Sequence, residues 1–154
     1  MRKTTLVFLF NPKEQILLSM KKRGFGAGKR NGAGGKVKDS ETIIQGALRE
    51  LHEETGALIS EDALRYKGVL HFVFEGEEEK NQDCSVFFGV YEGEVYETEE
   101  MLPKWFDIEA IPFSEMWEDD PIWLPRLLNG EQDIEYRFIF TGEEMKLSKV
   151  IQIS

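Results

Sequence analysis

Residues 35–56 read GKVKDSETIIQGALRELHEETG, and this stretch carries both the start and the stop signals of a helix. Thr42 and Gln45 fit a capping box, in which each side chain accepts a hydrogen bond from the other residue's backbone N–H. Gly56 suits the left-handed conformation that often ends a helix. The sequence therefore predicts a helix over Ile43–Thr55.

Two stripes of different chemistry run along this predicted helix. The apolar stripe consists of Ile44, Ala47, Leu48 and Leu51, and the acidic stripe consists of Glu50, Glu53 and Glu54. Like charges three or four residues apart destabilise a helix, so a nearby positive charge must offset them. Carboxylate oxygens are hard ligands of Mg²⁺ and Mn²⁺, and the carbonyl of Gly34 can add another. The stripe predicts a divalent metal site, with an ordinary acidic surface as the alternative.

A glycine-rich loop precedes the helix. Residues 23–36 contain six glycines, which are too many for a regular element and typical of backbone that approaches a ligand closely. Lys36 follows the last glycine and can meet a phosphate group as a point charge. Upstream, residues 4–10 and 15–20 are β-rich and separated by a turn cluster, so we expect two adjacent strands.

The remaining pattern indicates the fold class. Further strands are predicted at residues 66–74, 84–91, 104–107, 134–140 and 149–153. A second helix is predicted at 119–129, and the acidic segment 75–83 predicts a solvated hairpin loop. Strands before and after each helix predict the α/β (α+β) class, with a mixed sheet between helices in an α/β/α sandwich. We expect one domain over residues 1–154.

Composition limits the classes of function. A net charge of −10 argues against a surface that binds nucleic acid through its phosphates. The single cysteine, Cys84, permits no internal disulfide and no cysteine-based zinc site, so we expect a reducing cytoplasm. The apolar run near the N-terminus is cut by Asn11 and Pro12, which predicts a strand rather than a signal peptide. No apolar run is long enough to cross a bilayer.

The quoted stretch resembles the Nudix box of the Nudix hydrolase family over its full length, in the pattern Gly35-x5-Glu41-x7-Arg49-Glu50-Leu51-x-Glu53-Glu54-x-Gly56. Ala57 stands where the family has a bulky aliphatic residue. Segments 20–28, 31–37 and 111–120 resemble a narrower branch, the oxidised purine nucleoside triphosphatases or 8-oxo-dGTP diphosphatases. Arg30 and Ala33 replace an aromatic pair of that branch, which bears on loop packing and on the fit of the base or sugar.

The resemblance implies roles for particular residues. The implied metal ligands are Gly34, Glu50, Glu53, Glu54 and Glu100, with Mg²⁺ or alternatively Mn²⁺ as the cofactor. Either Glu53 or Glu100 is the implied catalytic base. Glu41 and Arg49 are implied supports of these carboxylates, with a surface pair between Arg49 and Glu53 as the alternative. The implied substrate-binding residues are Thr5, Lys21, Asn31, Gly34, Gly35, Lys36, Trp117, Asp119 and Asp120. The pocket wall, or else core, consists of Phe25, Phe72, Phe74 and Met101.

Base recognition follows from three of these residues. Trp117 offers a flat face on which a purine can stack, and Asp119 and Asp120 offer acceptors to a guanine-type edge. Two adjacent carboxylates in an apolar pocket repel each other, so at least one pKa should rise and one group should hold a proton. Helix capping by the aspartates and core packing of Trp117 are the alternatives. Core packing is the expectation for Trp123, and no chemistry is assigned to His52 or His71.

The activity that the resemblance implies is hydrolysis of oxidised purine nucleoside triphosphates, such as 8-oxo-dGTP and 2-oxo-dATP, to the monophosphate and pyrophosphate. Ordinary nucleoside triphosphates or other nucleoside diphosphate derivatives are an alternative substrate class. A nucleotide-binding module without turnover is a third possibility, which the intact Glu50, Glu53 and Glu54 disfavour. We expect a monomer whose partner is a small nucleotide, with neither nucleic acid nor membrane as a partner.

Overall fold

The computed structural model describes residues 1–154, which form two helices and eight strands. The helices are α1 (Ile43–Thr55) and α2 (Asp120–Leu128). The strands are β1 (Arg2–Asn11), β2 (Gln15–Lys21), β3 (Arg30–Asn31), β4 (Arg65–Phe74), β5 (Gln82–Val90), β6 (Met101–Asp107), β7 (Ile134–Thr141) and β8 (Lys146–Gln152). No helix in the structure combines the length and apolarity that a membrane span requires.

All eight strands belong to one mixed sheet. Its order is β3-β2-β1-β5-β4-β7-β8, and β6 pairs with β2. The pairs β1·β5 and β4·β7 are parallel, and the other pairs are antiparallel. β1 lies in the middle of the sheet, and its residues 4–9 are all buried because both faces of the strand are covered.

The two helices cover opposite faces of this sheet. Leu6 and Phe8 of β1 belong to a core cluster that includes Trp123 and Leu124 of α2. Val7 and Leu9 belong to a second cluster that includes Ala47 and Leu51 of α1. Because successive side chains of a strand point to opposite faces, one strand contributes to both cores. The predicted mixed sheet between helices is confirmed.

β1 and β2 diverge after the turn that joins them. They pair only at Phe10↔Ile16 and Asn11↔Gln15, so the predicted adjacency of these strands holds only near that turn. Where β2 has separated from β1, the glycine-rich loop hydrogen-bonds to the free edge of β1. The Thr5 N–H donates to Gly35 O (2.9 Å), and the Val7 N–H donates to Ala33 O (2.6 Å). A Cβ on Gly34 would lie 1.8 Å from the carbonyl oxygen of Thr5, so only glycine allows this approach.

Some boundaries differ from the sequence-based prediction. β3 has two residues and gives no periodic pattern. β6 begins at Met101 rather than at residue 104, because its pairing with β2 includes Pro103, which an edge strand tolerates. β8 covers 146–152 rather than 149–153. The segment 75–83 is not simply a solvated loop, since it contains a short 3₁₀ turn at Glu78–Lys80 and its last two residues belong to β5.

Candidate active site

A cleft of about 420 Å³ opens where β1 and β2 diverge. Its lining contains most of the residues that the sequence analysis assigned to substrate, metal or pocket wall, namely Thr5, Lys21, Phe25, Asn31, Gly34, Gly35, Lys36, Glu50, Glu54, Phe72, Phe74, Glu100, Met101, Trp117, Asp119 and Asp120. Glu41, Arg49 and Glu53 do not line the cleft. Carboxylates of α1 occupy one end, and aromatic rings with the aspartate pair occupy the other.

Helix α1 positions the carboxylates at the first end. The predicted capping box is present: Thr42 Oγ1 accepts from the Gln45 N–H, and Gln45 Oε1 accepts from the Thr42 N–H. Gly56 ends the helix with φ 81°. The Gly34 N–H donates to Glu54 Oε1 (2.8 Å), and a Cβ on Gly35 would lie 2.5 Å from Glu50 Cδ. The two glycines therefore bring loop backbone directly against the carboxylates.

Arg49 holds the acidic stripe from the side. Its guanidinium donates to both carboxylate oxygens of Glu41 (2.7 and 2.8 Å), to Glu50 (2.9 Å) and to Glu53 (3.3 Å), and also to the carbonyl of Lys36. Hydrogen bonding from Arg49 lowers the pKa of Glu41 to about 2. The predicted support by Glu41 and the alternative pair between Arg49 and Glu53 thus coexist. Arg49 also links α1 to the glycine-rich loop.

The remaining carboxylates differ in electrostatic environment. Burial raises the pKa of Glu54 to about 8, against the lowering effect of the Gly34 N–H. Burial likewise raises the pKa of Glu50. Glu100 accepts from Arg23 Nε (2.8 Å), and this hydrogen bond lowers the pKa of Glu100.

These charges bear on whether the site fits a metal ion. No group of three or more His, Cys, Asp or Glu side chains converges closely enough to hold one, because Arg49 draws Glu50 and Glu53 to itself and Arg23 draws Glu100. Glu54, in contrast, is largely buried and accepts only from a backbone amide. Burial disfavours the charged form of a carboxylate, and either hydrogen-bond donors or a nearby positive charge offset that cost. The carboxylate oxygens of Glu54 and Glu50 lie next to the backbone of the glycine-rich loop. Such hard oxygen ligands are the donors that Mg²⁺ and Mn²⁺ prefer.

Trp117 forms one wall of the other end of the cleft. Its ring centroid lies 5.3 Å from that of Phe25, 5.7 Å from Phe140 and 6.4 Å from Phe74. Lys29 Nζ lies 5.3 Å from the Trp117 ring. Trp117 therefore both packs against other rings and lines the cleft, so the two sequence-based alternatives for it are not exclusive.

The aspartate pair lies at the same end and is almost completely buried, with 2% of Asp119 and 1% of Asp120 exposed. Asp119 Oδ2 accepts from Trp123 Nε1 (2.8 Å), and Asp120 Oδ2 accepts from the Trp117 N–H (3.0 Å). Asp119 makes no side-chain capping bond to α2, so the capping alternative is wrong for it. Burial raises the pKa of Asp119 to about 6, and burial together with the Asp119 charge raises the pKa of Asp120.

Two smaller features complete the lining. The Thr5 hydroxyl is buried and has no hydrogen-bond partner, so a donor and acceptor is available in the cleft. Asn31 Oδ1 accepts from the Gly32 N–H (2.9 Å), which fixes the side chain while its amide N–H groups remain available.

Comparison with known proteins places this geometry in a family. A family model described as NUDIX domain matches residues 1–127. The chain belongs to the Nudix family. A protein of Danio rerio named "Oxidized purine nucleoside triphosphate hydrolase" is 49% identical over 142 residues, covering 92% of this chain and 88% of that protein. A protein of Mus musculus with the same name is 48% identical over 129 residues, covering 83% and 80%.

A solved Nudix-like fold resembles the whole chain. The crystal structure of a MutT protein from Bacillus halodurans superposes with a TM-score of 0.85 and covers 99% of this chain and 98% of its own. The two chains are 22% identical, so this likeness concerns the fold. The mixed sheet and the two helices are thus the Nudix arrangement.

The Nudix cleft also contains residues that the sequence analysis missed. Arg2, Thr4, Leu6, Ser19, Gly26, Lys29, Gly32, Gln82, Cys84 and Phe140 all contribute to its lining. The alternation of Arg2, Thr4 and Leu6 along β1 was a usable signal, since residues two apart share a face. Burial raises the pKa of the Cys84 thiol to about 12, so it stays protonated at neutral pH.

The departure from the Nudix box, at Ala57, and those from the branch pattern, at Arg30 and Ala33, lie outside the cleft. Ala57 and Ala33 are buried in the core cluster under α1. Arg30 is also buried, and its guanidinium lies 5.0 Å from the Phe106 ring and 3.6 Å from Glu115. None of the three lines the cleft, and all three are buried. Trp123 is fully buried, which confirms its predicted core position, and it also anchors Asp119.

Proposed function

We propose that this Nudix hydrolase cleaves oxidised purine nucleoside triphosphates, such as 8-oxo-dGTP and 2-oxo-dATP, to the monophosphate and pyrophosphate, and so sanitises the nucleotide pool. The observation that carries the proposal is one cleft with two chemically distinct ends. One end has Glu50 and Glu54 against glycine backbone, and the other has Trp117 beside two buried aspartates. The names of the two relatives support the same substrate class.

Nudix hydrolases use divalent metal ions. In this chain we assign Glu50, Glu53, Glu54, Glu100 and the carbonyl of Gly34 as the residues that would hold Mg²⁺, with Mn²⁺ as a substitute. To reach the ion, Glu50 and Glu53 would turn away from Arg49, and Glu100 would turn away from Arg23. When bound, the metal would activate the attacking water and neutralise charge on the triphosphate.

The chain's own residues perform the remaining tasks. Glu53 or Glu100 takes the proton of the attacking water. Arg49 keeps Glu50 and Glu53 in place through its contacts with Glu41 and the Lys36 carbonyl. Lys21 and Lys36 line the cleft and bind the anionic phosphates as point charges.

The aspartate pair reads the Watson–Crick edge of the purine. An ionised aspartate accepts from the N1–H and the amino group of a guanine-type base, and a protonated one donates to an oxo group or a ring nitrogen. The raised pKa values of Asp119 and Asp120 make a shared proton available at neutral pH. One pocket can thus accept more than one oxidised purine. The Asp119→Asn variant should change the ranking of 8-oxo-dGTP against 2-oxo-dATP, and an unchanged ranking would contradict this role.

The substrate is tested by steady-state kinetics with Mg²⁺ on 8-oxo-dGTP, 2-oxo-dATP, dGTP and a nucleoside diphosphate sugar, with products identified. We expect the oxidised purines to exceed dGTP in kcat/KM by at least about tenfold, which corresponds to about 1.4 kcal/mol of transition-state binding. If kcat/KM for the oxidised purines equals or falls below that for dGTP, the proposed substrate class is wrong, although the enzyme would still be a Nudix hydrolase.

A single substitution at Glu53 tests whether the protein is an enzyme or only binds nucleotides. Glu53→Gln should abolish turnover while the fold and weak nucleotide binding persist, because only the charge of one carboxylate is lost. Glu79→Gln, at an exposed glutamate remote from α1, is the matched control. An inert wild-type protein in the presence of Mg²⁺ would instead identify a binding module.

The other expectations from the sequence stay predictions. They are a single domain over residues 1–154, a cytoplasmic location, a monomeric state, and the absence of nucleic-acid and membrane partners. Light scattering behind a size-exclusion column tests the monomer directly.

A further inference from the structure

A group of polar side chains lies on the sheet floor of the cleft, away from α1. Arg2 and Thr4 of β1 are register partners of Gln82 and Cys84 of β5, so the four side chains are neighbours on one face of the sheet. All four line the cleft. Most of the remaining floor on this face is apolar, with Leu6, Phe72 and Phe140.

Hydrogen-bonding capacity at Gln82 is only half used. The Thr4 hydroxyl donates to Gln82 Oε1 (2.8 Å), and Gln82 Nε2 donates to the carbonyl of Lys80 (3.1 Å). A primary amide has two N–H donors and two acceptor lone pairs, so one of each is free. Because Oε1 and Nε2 are both held, the amide plane is fixed before a ligand arrives.

Arg2 adds unused donors beside this amide. Its Nη2 donates to the same Lys80 carbonyl at 3.4 Å, while its Nε is buried and has no partner. A buried donor without a partner is costly, and a ligand acceptor would remove that cost.

These donors lie farther out along β1 than the part of the floor that packs against α2, the helix that begins at the aspartate pair. Asp119 is held by Trp123, whose ring packs against Phe8, in the core cluster that also contains Leu6. Along β1, Thr4 and then Arg2 follow Leu6 outward. A step of two residues on a strand covers about 7 Å, a length comparable to a purine, and Arg2 and Gln82 lie one such step outward from Thr4 and Cys84 and two from Leu6.

We propose that Gln82, assisted by Arg2, recognises the oxidised C8 edge of the substrate purine. This inference rests on the proposed function. Oxidation at C8 places a carbonyl oxygen next to an N7–H, which is an acceptor beside a donor. The free N–H and lone pair of the Gln82 amide match that pair, and Arg2 can donate a further bond to the carbonyl oxygen. An unoxidised purine offers only N7 as an acceptor there and leaves the amide half unpaired.

The test compares substrates that carry the oxygen on different edges. Gln82→Met should lower kcat/KM for 8-oxo-dGTP and 8-oxo-dATP about tenfold more than for substrates whose C8 edge is unoxidised, because the oxidised edge loses two hydrogen bonds to the amide and the unoxidised edge loses only the one to N7. The substrates with an unoxidised C8 edge are dGTP and 2-oxo-dATP, whose added oxygen lies on the other edge. An equal fall on all four substrates, or no fall on the 8-oxo pair, would overturn the proposal.

A second variant and a binding measurement guard against a folding defect. Arg2→Met should likewise lower kcat/KM for 8-oxo-dGTP more than for dGTP. Lys3→Met, at the exposed neighbour on β1, should not change this ratio. Binding of 8-oxo-dGMP and dGMP, measured by calorimetry, reports affinity in the absence of turnover. The preference of the wild-type protein for 8-oxo-dGMP should be smaller in Gln82→Met. If the wild-type protein prefers oxidised purines and Gln82→Met retains the 8-oxo preference, only this inference fails. If the wild-type protein shows no preference, the proposed function itself fails.

Discussion

At the scale of single residues, the hydrogen bond from Trp123 Nε1 to Asp119 Oδ2 affects the protonation of an aspartate that we propose to recognise the base. Burial raises the pKa of Asp119 to about 6, and the Trp123 hydrogen bond opposes that rise. Trp123→Phe removes the donor, so the pKa of Asp119 should rise further, by about one unit for a bond to a charged acceptor. The acid limb of the pH profile of kcat/KM for 8-oxo-dGTP should then move to higher pH.

Trp105→Phe is the control for this prediction. Trp105 packs against the core on the α1 side of the sheet and does not contact Asp119. Trp105→Phe therefore shows the effect of losing an indole elsewhere in the protein. An acid limb that stays in place in Trp123→Phe, or that moves equally in both variants, would show that this bond does not control the pocket.

Gly34 is a second residue whose identity the structure explains. A Cβ at this position would lie 1.8 Å from a backbone oxygen of β1, and backbone cannot move aside as a side chain can. Gly34→Ala should therefore destabilise the fold by about 3 kcal/mol or more, measured by urea denaturation, and should disrupt the cleft.

Gly28→Ala is the matched control for the steric argument. Gly28 has φ 86° and open space around its Cβ position, so alanine there costs only backbone strain of about 1 kcal/mol. Similar losses at both positions would contradict the proposed clash.

At the scale of elements, His71 ties three strands together. Its Nδ1 lies 2.6 Å from Asp83 Oδ1 of β5, and its Nε2 lies 2.7 Å from Glu135 Oε2 of β7. Burial alone would lower the pKa of His71, but the hydrogen bonds to the two carboxylates outweigh it and raise the pKa. Protonated His71 donates to both neighbours, so its stabilisation is complete below pH about 6.5 and is lost as the pH rises through the raised folded-state pKa.

His71→Gln should accordingly lower Tm most at acidic pH. We expect a decrease of about 2–4 °C at pH 5.5 that shrinks by pH 9, measured by calorimetry. His52→Gln, at the exposed histidine of α1, is the matched control, because it removes an imidazole that contacts neither Asp83 nor Glu135. A constant difference between His71→Gln and wild type across this range would contradict the pairing.

At the scale of the whole molecule, the buried acids couple stability to pH and to metal. The pKa values of Glu54 (about 8), Asp119 (about 6) and Asp120 are all raised by burial. At these three groups the folded state thus binds more protons than the unfolded state between about pH 4 and pH 8, so their contribution to stability falls as the pH rises. Mg²⁺ binding to ionised Glu54 should offset this loss, so the rise in Tm on adding Mg²⁺ should be larger at pH 8.5 than at pH 5.5.

The corresponding variant is Glu54→Gln. It should flatten the fall of Tm between pH 5.5 and pH 8.5 in the metal-free protein and reduce the gain from Mg²⁺, both read by scanning calorimetry. An equal gain from Mg²⁺ at both pH values in the wild-type protein would exclude Glu54 as the coupled group.

The sequence predicted α1 to the residue because every signal was local. The capping pair Thr42 and Gln45, the stop at Gly56 and the two stripes all lie within one short segment. The same locality explains why β3 and the start of β6 were missed. β3 and β6 form only by pairing with β2, which lies elsewhere in the chain. Pro103 also argued against a strand, because proline is tolerated only in edge strands.

The amino-acid sequence by itself determined which groups this protein can use: the carboxylates of α1, the glycines that allow close approach of the loop, and the pair Asp119 and Asp120. The tertiary structure alone decided what those groups meet. Trp123 meets Phe8 because α2 packs against β1, and Arg2 meets Gln82 because two strands 80 residues apart run in parallel register. Such contacts arise from long-range pairing and from the divergence of β1 and β2, which no local pattern encodes.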